Sequence, residues 1–201
     1  MAVAAEMFAE LGFDGATVER IARRARVNKA MISYHFGGKR QLYRTLIGDS
    51  FQLLGRRLDE IQRSGAGPED RLAAFLAAFR EVAQRRPAFP PLMLREAIGD
   101  GRHLDPKDLQ HFLRVYRVIQ EILEQGAGLG RFHRINPAIV QIGLIGSLTF
   151  YFSTGGLRRR VLEQLRLEPG DFTETEYLAY LHSVVVRGLA PEPTDRLEGR
   201  S

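Results

Sequence analysis

The sequence predicts an all-α fold, and three observations predict it. No sustained alternation of apolar and polar residues appears in the 201 residues, so no half-buried strand is indicated. Apolar residues recur instead at helical spacing in nearly every segment. Many of those segments open on Thr, Asn, Asp or Pro and close on Gly, the residues that start and stop helices. A hydrophobic content of 44% with 26% charged residues is enough for a core, in one compact domain or two small ones.

The elements follow in order. Ala4, Phe8 and Leu11 make a first stripe, stopped by Gly12. Thr17 is placed to cap a second helix, with Glu19 in its first turn and Val18, Ile21, Ala22 and Ala25 inward. Asn28 caps a third that runs to about His35, and Gly37-Gly38 breaks it. A fourth begins near Lys39, its stripe running through Leu42, Tyr43, Leu46, Leu53, Leu54, Leu58 and Ile61. Ser64 to Pro68 punctuates the chain, and Pro68 suits a first helical position. Leu72, Phe75, Leu76 and Phe79 form the fifth stripe. Pro87, Pro90 and Pro91 predict a short or kinked segment to Ile98, followed by a loop from Gly99 to His103. Asp105-Pro106 opens a helix to about Gln125, and Asn136-Pro137 opens an uncharged one that ends by Gly155-Gly156. Thr173 with Glu176 is a capping-box signature for a last helix to about Gly188. The tail, Pro191 to Ser201, has no apolar face and is expected to fray.

Composition narrows the chemistry. The chain has no cysteine, which excludes disulfides, thiolate catalysis, iron–sulfur clusters and Cys-based zinc sites. The net charge of +5 is mild but unevenly spread. Residues 1–46 hold eight Lys or Arg against four Asp or Glu, a balance of +4, and all eight cations lie between Arg20 and Arg44, where no acid occurs. That asymmetry points to an anionic partner. The acidic, amphipathic start lacks the features of a secretory signal, which indicates a cytoplasmic protein. Ile135 to Leu157 is uncharged, but its strongly apolar part, Ile139 to Phe152, is shorter than the roughly 20 residues of a span. A buried or interface helix is the reading taken, with no membrane partner.

Residues 17–36, TVERIARRARVNKAMISYHF, combine two short capped helices with a tight junction near Arg26 to Asn28, the layout of a helix-turn-helix. In that motif the second helix enters the major groove with its N-terminal residues at base edges. Its exposed positions here are Asn28, Lys29, Ala30, Ser33 and Tyr34, with Ile32 and Phe36 as anchors. Thr17 and Lys39 stand where backbone N–H groups converge and favour a phosphate. Lys29 suits guanine O6 and N7. Each has a plainer alternative. Thr17 serves as a cap alone, Tyr34 and His35 pack on the fourth helix, and Arg20, Arg23 and Arg24 form a solvated face.

The run from Ala4 to Leu46, with FAELGFDGATVERIA followed by YHFGGKRQLYR, resembles the N-terminal domain of TetR/AcrR-family transcriptional regulators. The resemblance covers about the first quarter of the chain. It implies a three-helix DNA-binding domain at 1–46 and a helical ligand-binding and dimerisation domain at 47–190, with the tail at 191–201 expected from its composition to be disordered. It also implies a homodimeric repressor that binds a palindromic double-stranded DNA operator and is released by a small-molecule effector. Carried over position by position, it puts Thr17 and Lys39 on phosphates, Lys29, Ala30 and Ser33 near base edges, and Tyr34 and His35 on the backbone. Arg20 and Asn28 complete the DNA-binding set. Three departures stand out. Arg26 occupies a turn position where the family commonly has Gly, Met31 and Ser33 replace the commoner Thr and Tyr, and Met1 falls inside what is normally the first helix.

Beyond residue 46 the reading rests mainly on composition. PPLMLREAIGDGRHLD, residues 90–105, joins a Pro-broken helix to a loop, a wall suited to lining a pocket. Polar candidates for an effector are Arg95, His103, His111, Arg114, Tyr116, Arg117 and Tyr151. The spacing of His103, Asp105, Asp108 and His111 suggests zinc, but only Asp108 and His111 share a helical face, so no metal and no cofactor are expected. The helices near 137–153 and 174–188 are the candidates for dimerisation, since Gly143 and Gly146 permit close approach and Leu181, Val184 and Val185 add a second stripe. No nucleophile–base pair, phosphate loop or dinucleotide fingerprint is present, so no catalytic residue is assigned. Alternatives to the repressor are an activator of the same fold and a protein-interaction module that has lost operator binding.

Overall fold

A computed structural model describes residues 1–167 and 172–191, which form ten α-helices and no strand. In chain order they are α1 (Ala2–Gly15), α2 (Val18–Ala25), α3 (Lys29–Phe36), α4 (Lys39–Arg63) and α5 (Pro68–Arg85), then α6 (Phe89–Ile98), α7 (Pro106–Gly128), α8 (Pro137–Ser153), α9 (Gly155–Gln164) and α10 (Glu174–Leu189). The expected frayed tail lies outside the described residues apart from Pro191.

Local chemistry accounts for most boundaries. Thr17 Oγ1 accepts from Arg20 N–H at 3.2 Å, and Asn28 Oδ1 accepts from Ala30 N–H at 2.8 Å, so α2 and α3 each begin on a side-chain cap. Asp105 with Asp108, and Thr173 with Glu176, close reciprocal capping boxes at the starts of α7 and α10. Pro90 and Pro91 fall in the first turn of α6, where a missing N–H costs little, so that segment is a short helix. One element departs from expectation. Helix α8 ends at Ser153, by Gly155-Gly156 as expected, but the glycine pair then opens an unforeseen helix, α9, at a bend of 69° to α8.

Packing proceeds from the N-terminus inward. Helices α1, α2 and α3 close a small bundle against the start of α4, around Phe8, Ile21, Ile32, Leu42 and Tyr43. Helix α4 then runs into the body, where α5 and α7 pack on it around Leu58, Phe75, Val118, Ile119 and Ile122. Helix α6 touches both α1 and α8, α8 also lies on α7, and α10 lies on α5. Among the described residues no single helix is long and apolar enough to cross a membrane. Helix α8 buries Val140, Leu144, Leu148 and Tyr151, while Ile139, Ile142 and Phe150 point outward.

Candidate nucleic-acid interface

The turn between α2 and α3 is built on Arg26. Its backbone is left-handed, at φ 55° and ψ 40°, and its N–H reaches back to the carbonyls of Ala22 and Arg23. A non-glycine residue there carries the strain expected from sequence, of order 1 kcal/mol. The turn aims α3 so that Ile32 is its one buried residue. Asn28, Lys29, Ala30, Met31, Ser33, Tyr34 and His35 all face outward. Tyr34 is 84% exposed, so it does not pack on α4, and His35 meets it edge-on at 5.1 Å. Met31 on α3 and Val27 in the turn before it are exposed as well, at 48% and 45%. Sequence reasoning noted Met31 only as a departure. The signal was its place next to Ile32 on a short helix with one inward anchor.

Folding interleaves the charges that the sequence segregates. Arg24 Nη1 donates to Glu10 at 2.8 Å, and its Nη2 lies 3.5 Å from Glu6. Lys29 pairs with Glu19, and the hydrogen bond from its ammonium holds the Glu19 carboxyl below the usual carboxylate range. Arg102 pairs with Asp14 at 3.0 Å, and Arg44 with Asp105 at 3.1 Å. Among the described residues Arg20, Arg23, Arg26, Lys39 and Arg40 have no carboxylate partner. Arg20 instead donates to Gly15 carbonyl at 3.0 Å. Lys39 sits 4.4 Å from the centre of the Phe13 ring and 3.4 Å from the Asp14 carbonyl. Helix α4 begins on Gly38, with φ 121° and no side-chain cap, so its first N–H groups stay open beside Lys39 and Arg40. Open amides and two cations at one helix N-terminus suit a phosphate.

The body candidates do not converge on one cavity. Arg95 donates to the carbonyls of Ala9 and Glu10 at 2.7 Å each. His103 lies 3.0 Å from Glu96 through Nδ1 and 4.6 Å from the Phe13 ring centre. Both line a cleft of about 500 Å³ with Leu11, Asp14, Ile98 and Arg102, so the irregular wall at 90–105 does border a cavity. His111 stacks on Phe51 at 4.6 Å, and burial pushes its pKa down. Arg114 pairs with Asp59 beside Gly55. Tyr116 lines a separate cleft of about 310 Å³ with Gln120, His133 and Arg134. Arg117 is exposed on α7. Tyr151 stacks on Tyr177 at 4.0 Å, with the Arg158 guanidinium 3.9 Å from its ring centre. Asp105 and Asp108 spend their carboxylates on the α7 cap, and no metal-binding cluster occurs among the described residues.

Comparisons with known proteins agree with this arrangement. Residues 1–46 match the family model "Bacterial regulatory proteins, tetR family". The HTH-type transcriptional repressor NicS of Pseudomonas putida is 25% identical over 190 residues, covering 92% of this chain and 88% of the relative. The biofilm operon icaADBC HTH-type negative transcriptional regulator IcaR of Staphylococcus aureus is 32% identical over 73 residues, 36% of this chain and 39% of that protein. In fold, the chain is similar to the ketosteroid transcriptional regulator KstR2 of Mycobacterium tuberculosis, at a TM-score of 0.73 and 22% identity over 94% of this chain and 92% of that one. It is also similar to the regulator PfmR of Thermus thermophilus, at a TM-score of 0.71 and 21% identity over 94% of this chain and 95% of that one. A capped helix-turn-helix with one outward face, matched by the tetR family model over residues 1–46 and carried on a helical body of the same fold, makes this chain similar to DNA-binding transcriptional regulators of the TetR family.

Proposed function

We propose that the protein is a ligand-responsive repressor that binds a palindromic operator as a homodimer. Residues 1–46 are the reading head, and residues 47–190 sense the effector and dimerise. The observation that carries the reading is the face of α3, where Lys29, Ala30, Ser33 and Tyr34 all project outward from a single buried anchor, Ile32. Lys29 donates to guanine, Tyr34 and His35 lie along the backbone, and Thr17, Arg20 and Lys39 hold phosphates. Asn28 keeps its capping role and sets the angle of the first turn.

A homodimer is supported by the outward stripe of α8. Ile139, Ile142, Gly143, Gly146 and Phe150 recur at helical spacing on one exposed face, and Tyr180 and Val184 add exposed apolar surface on α10. A contiguous patch of that kind is where a second subunit docks. Repression fits the functions named for NicS and IcaR. For the effector, the Tyr116 cleft has a volume at the lower end of small-ligand pockets and mixes polar with apolar walls.

The test is a gel shift against DNA selected from a random pool. Lys29→Ala is expected to relax base preference at one position of each half-site. Lys39→Ala is expected to weaken all sequences alike and to lower the salt slope by about one per head. Failure of the wild-type chain to select any palindrome overturns the reading.

A further inference from the structure

Helix α1 is broken at Gly12, whose backbone stands at φ 74° and ψ 175°. The last carbonyls before a break have no helical N–H partner and need another donor. Ala9 and Glu10 hold that place, and the donor comes from α6. Arg95 gives Nε to Ala9 carbonyl and Nη2 to Glu10 carbonyl, both at 2.7 Å, across more than eighty positions of sequence. A guanidinium offers two parallel N–H groups in a fixed fork, so this grip sets direction as well as distance.

Two further contacts lie beside the grip. Asp14, just past the break, is held by Arg102 at 3.0 Å and lies 3.6 Å from His103 Nε2. Glu96, only 3% exposed, accepts the Tyr43 hydroxyl of α4 at 2.5 Å and stands 3.0 Å from His103 Nδ1. The first and last helices of the head are therefore both tied to α6 and the turn behind it. These ties add direction to the packing of α1 on α6 and to the Arg44–Asp105 pair, while α4 runs unbroken from head to body.

In a two-fold dimer the bodies fix each other, and the angle of head to body then sets the separation of the two α3 helices. Operator half-sites must match that separation. We infer that Arg95 is a positioning residue that sets the half-site spacing this regulator accepts, without touching DNA. The inference rests on the dimer and operator reading above. Shifting one half-site by a single base pair moves it about 3.4 Å along the axis and turns it by about 35°.

The experiment uses the full chain and the operator it selects from random DNA, remade with half-sites one and two base pairs closer and farther. Wild-type protein is expected to lose about tenfold or more on each respaced operator. Arg95→Ala is expected to shrink that loss to about threefold or less, with base preference within a half-site unchanged. Arg95→Lys, which lacks the fork, should fall between the two. Should Arg95→Ala lose its helical circular dichroism, Asp14→Ala removes an exposed part of the same joint and carries the test with the same outcomes. An unchanged spacing penalty in the folded variant, or a base preference that shifts with it, overturns the inference alone. If the wild-type chain selects no palindrome, the dimer reading falls and this inference with it.

Discussion

Lys29 and Glu19 form an ion pair that joins the first turn of α3 to the first turn of α2, on the face assigned to DNA. Both side chains are more than half exposed, so the pair adds little stability. Its effect falls on binding, because a carboxylate beside the reading helix repels phosphate and occupies Lys29 until DNA displaces it. Glu19→Gln is therefore expected to tighten binding to selected and unselected DNA and to steepen the salt slope by about one per head. Fluorescence anisotropy across a salt series measures both, and weaker binding would show that Glu19 itself contacts the operator.

Gly126 faces Phe132, a buried ring just beyond the end of α7. A Cβ at residue 126 would overlap that ring, so the chain needs glycine for a close approach and not for a turn. Gly126→Ala should destabilise by about 1–3 kcal/mol, read by urea denaturation. Gly128, two residues further along α7 with open space around it, serves as the control, and its Ala variant should show no such loss.

His111 supplies a pH dependence with a definite sign. Burial lowers its pKa, the nearby Arg114 adds to this, and Asp108 opposes it. The folded state thus favours the neutral ring stacked on Phe51. Its contribution is present above the unfolded pKa of about 6.5 and is lost as pH falls through the lower folded value. Replacing it by Phe, which keeps the stack and cannot protonate, should flatten the fall in stability between about pH 7 and pH 5. Denaturation midpoints at both pH values check it, and an equal fall in both proteins would remove His111 from the account.

Ile142 is 73% exposed at the middle of the outward stripe of α8. Ile142→Arg is expected to give a particle near the 22.7 kDa of one chain by light scattering, with helical circular dichroism retained because the side chain makes no buried contact within the protomer. A variant that keeps twice that mass would place the interface elsewhere.

Much of the fold was legible because its signals are local. Thr17, Asn28, Asp105 and Thr173 each cap within three residues, and Arg26 takes the left-handed backbone expected where relatives carry Gly. Helix α9 was missed because a glycine pair reads as a stop, whereas here it follows a shared boundary at Thr154 and starts a new axis. The charge imbalance of the head was read correctly as a sum and incompletely as a surface. Glu6, Glu10 and Glu19 lie outside the cation run in sequence, yet the small bundle brings them onto Arg24 and Lys29. Arg95 was legible as a functional arginine but not as a clamp, because hydrophobic periodicity reports which face is buried and not which distant carbonyl lacks a donor.

The break at Gly12 also limits how interchangeable the head is. A transplant of residues 1–46 onto the body of a relative would leave two carbonyls of α1 and the Tyr43 hydroxyl facing a surface that did not evolve with them. Such a chimera should still recognise its own half-site while misjudging the distance between two. Exchange of recognition between these regulators therefore has to carry α6 along with the head, or find another donor for Ala9 and Glu10.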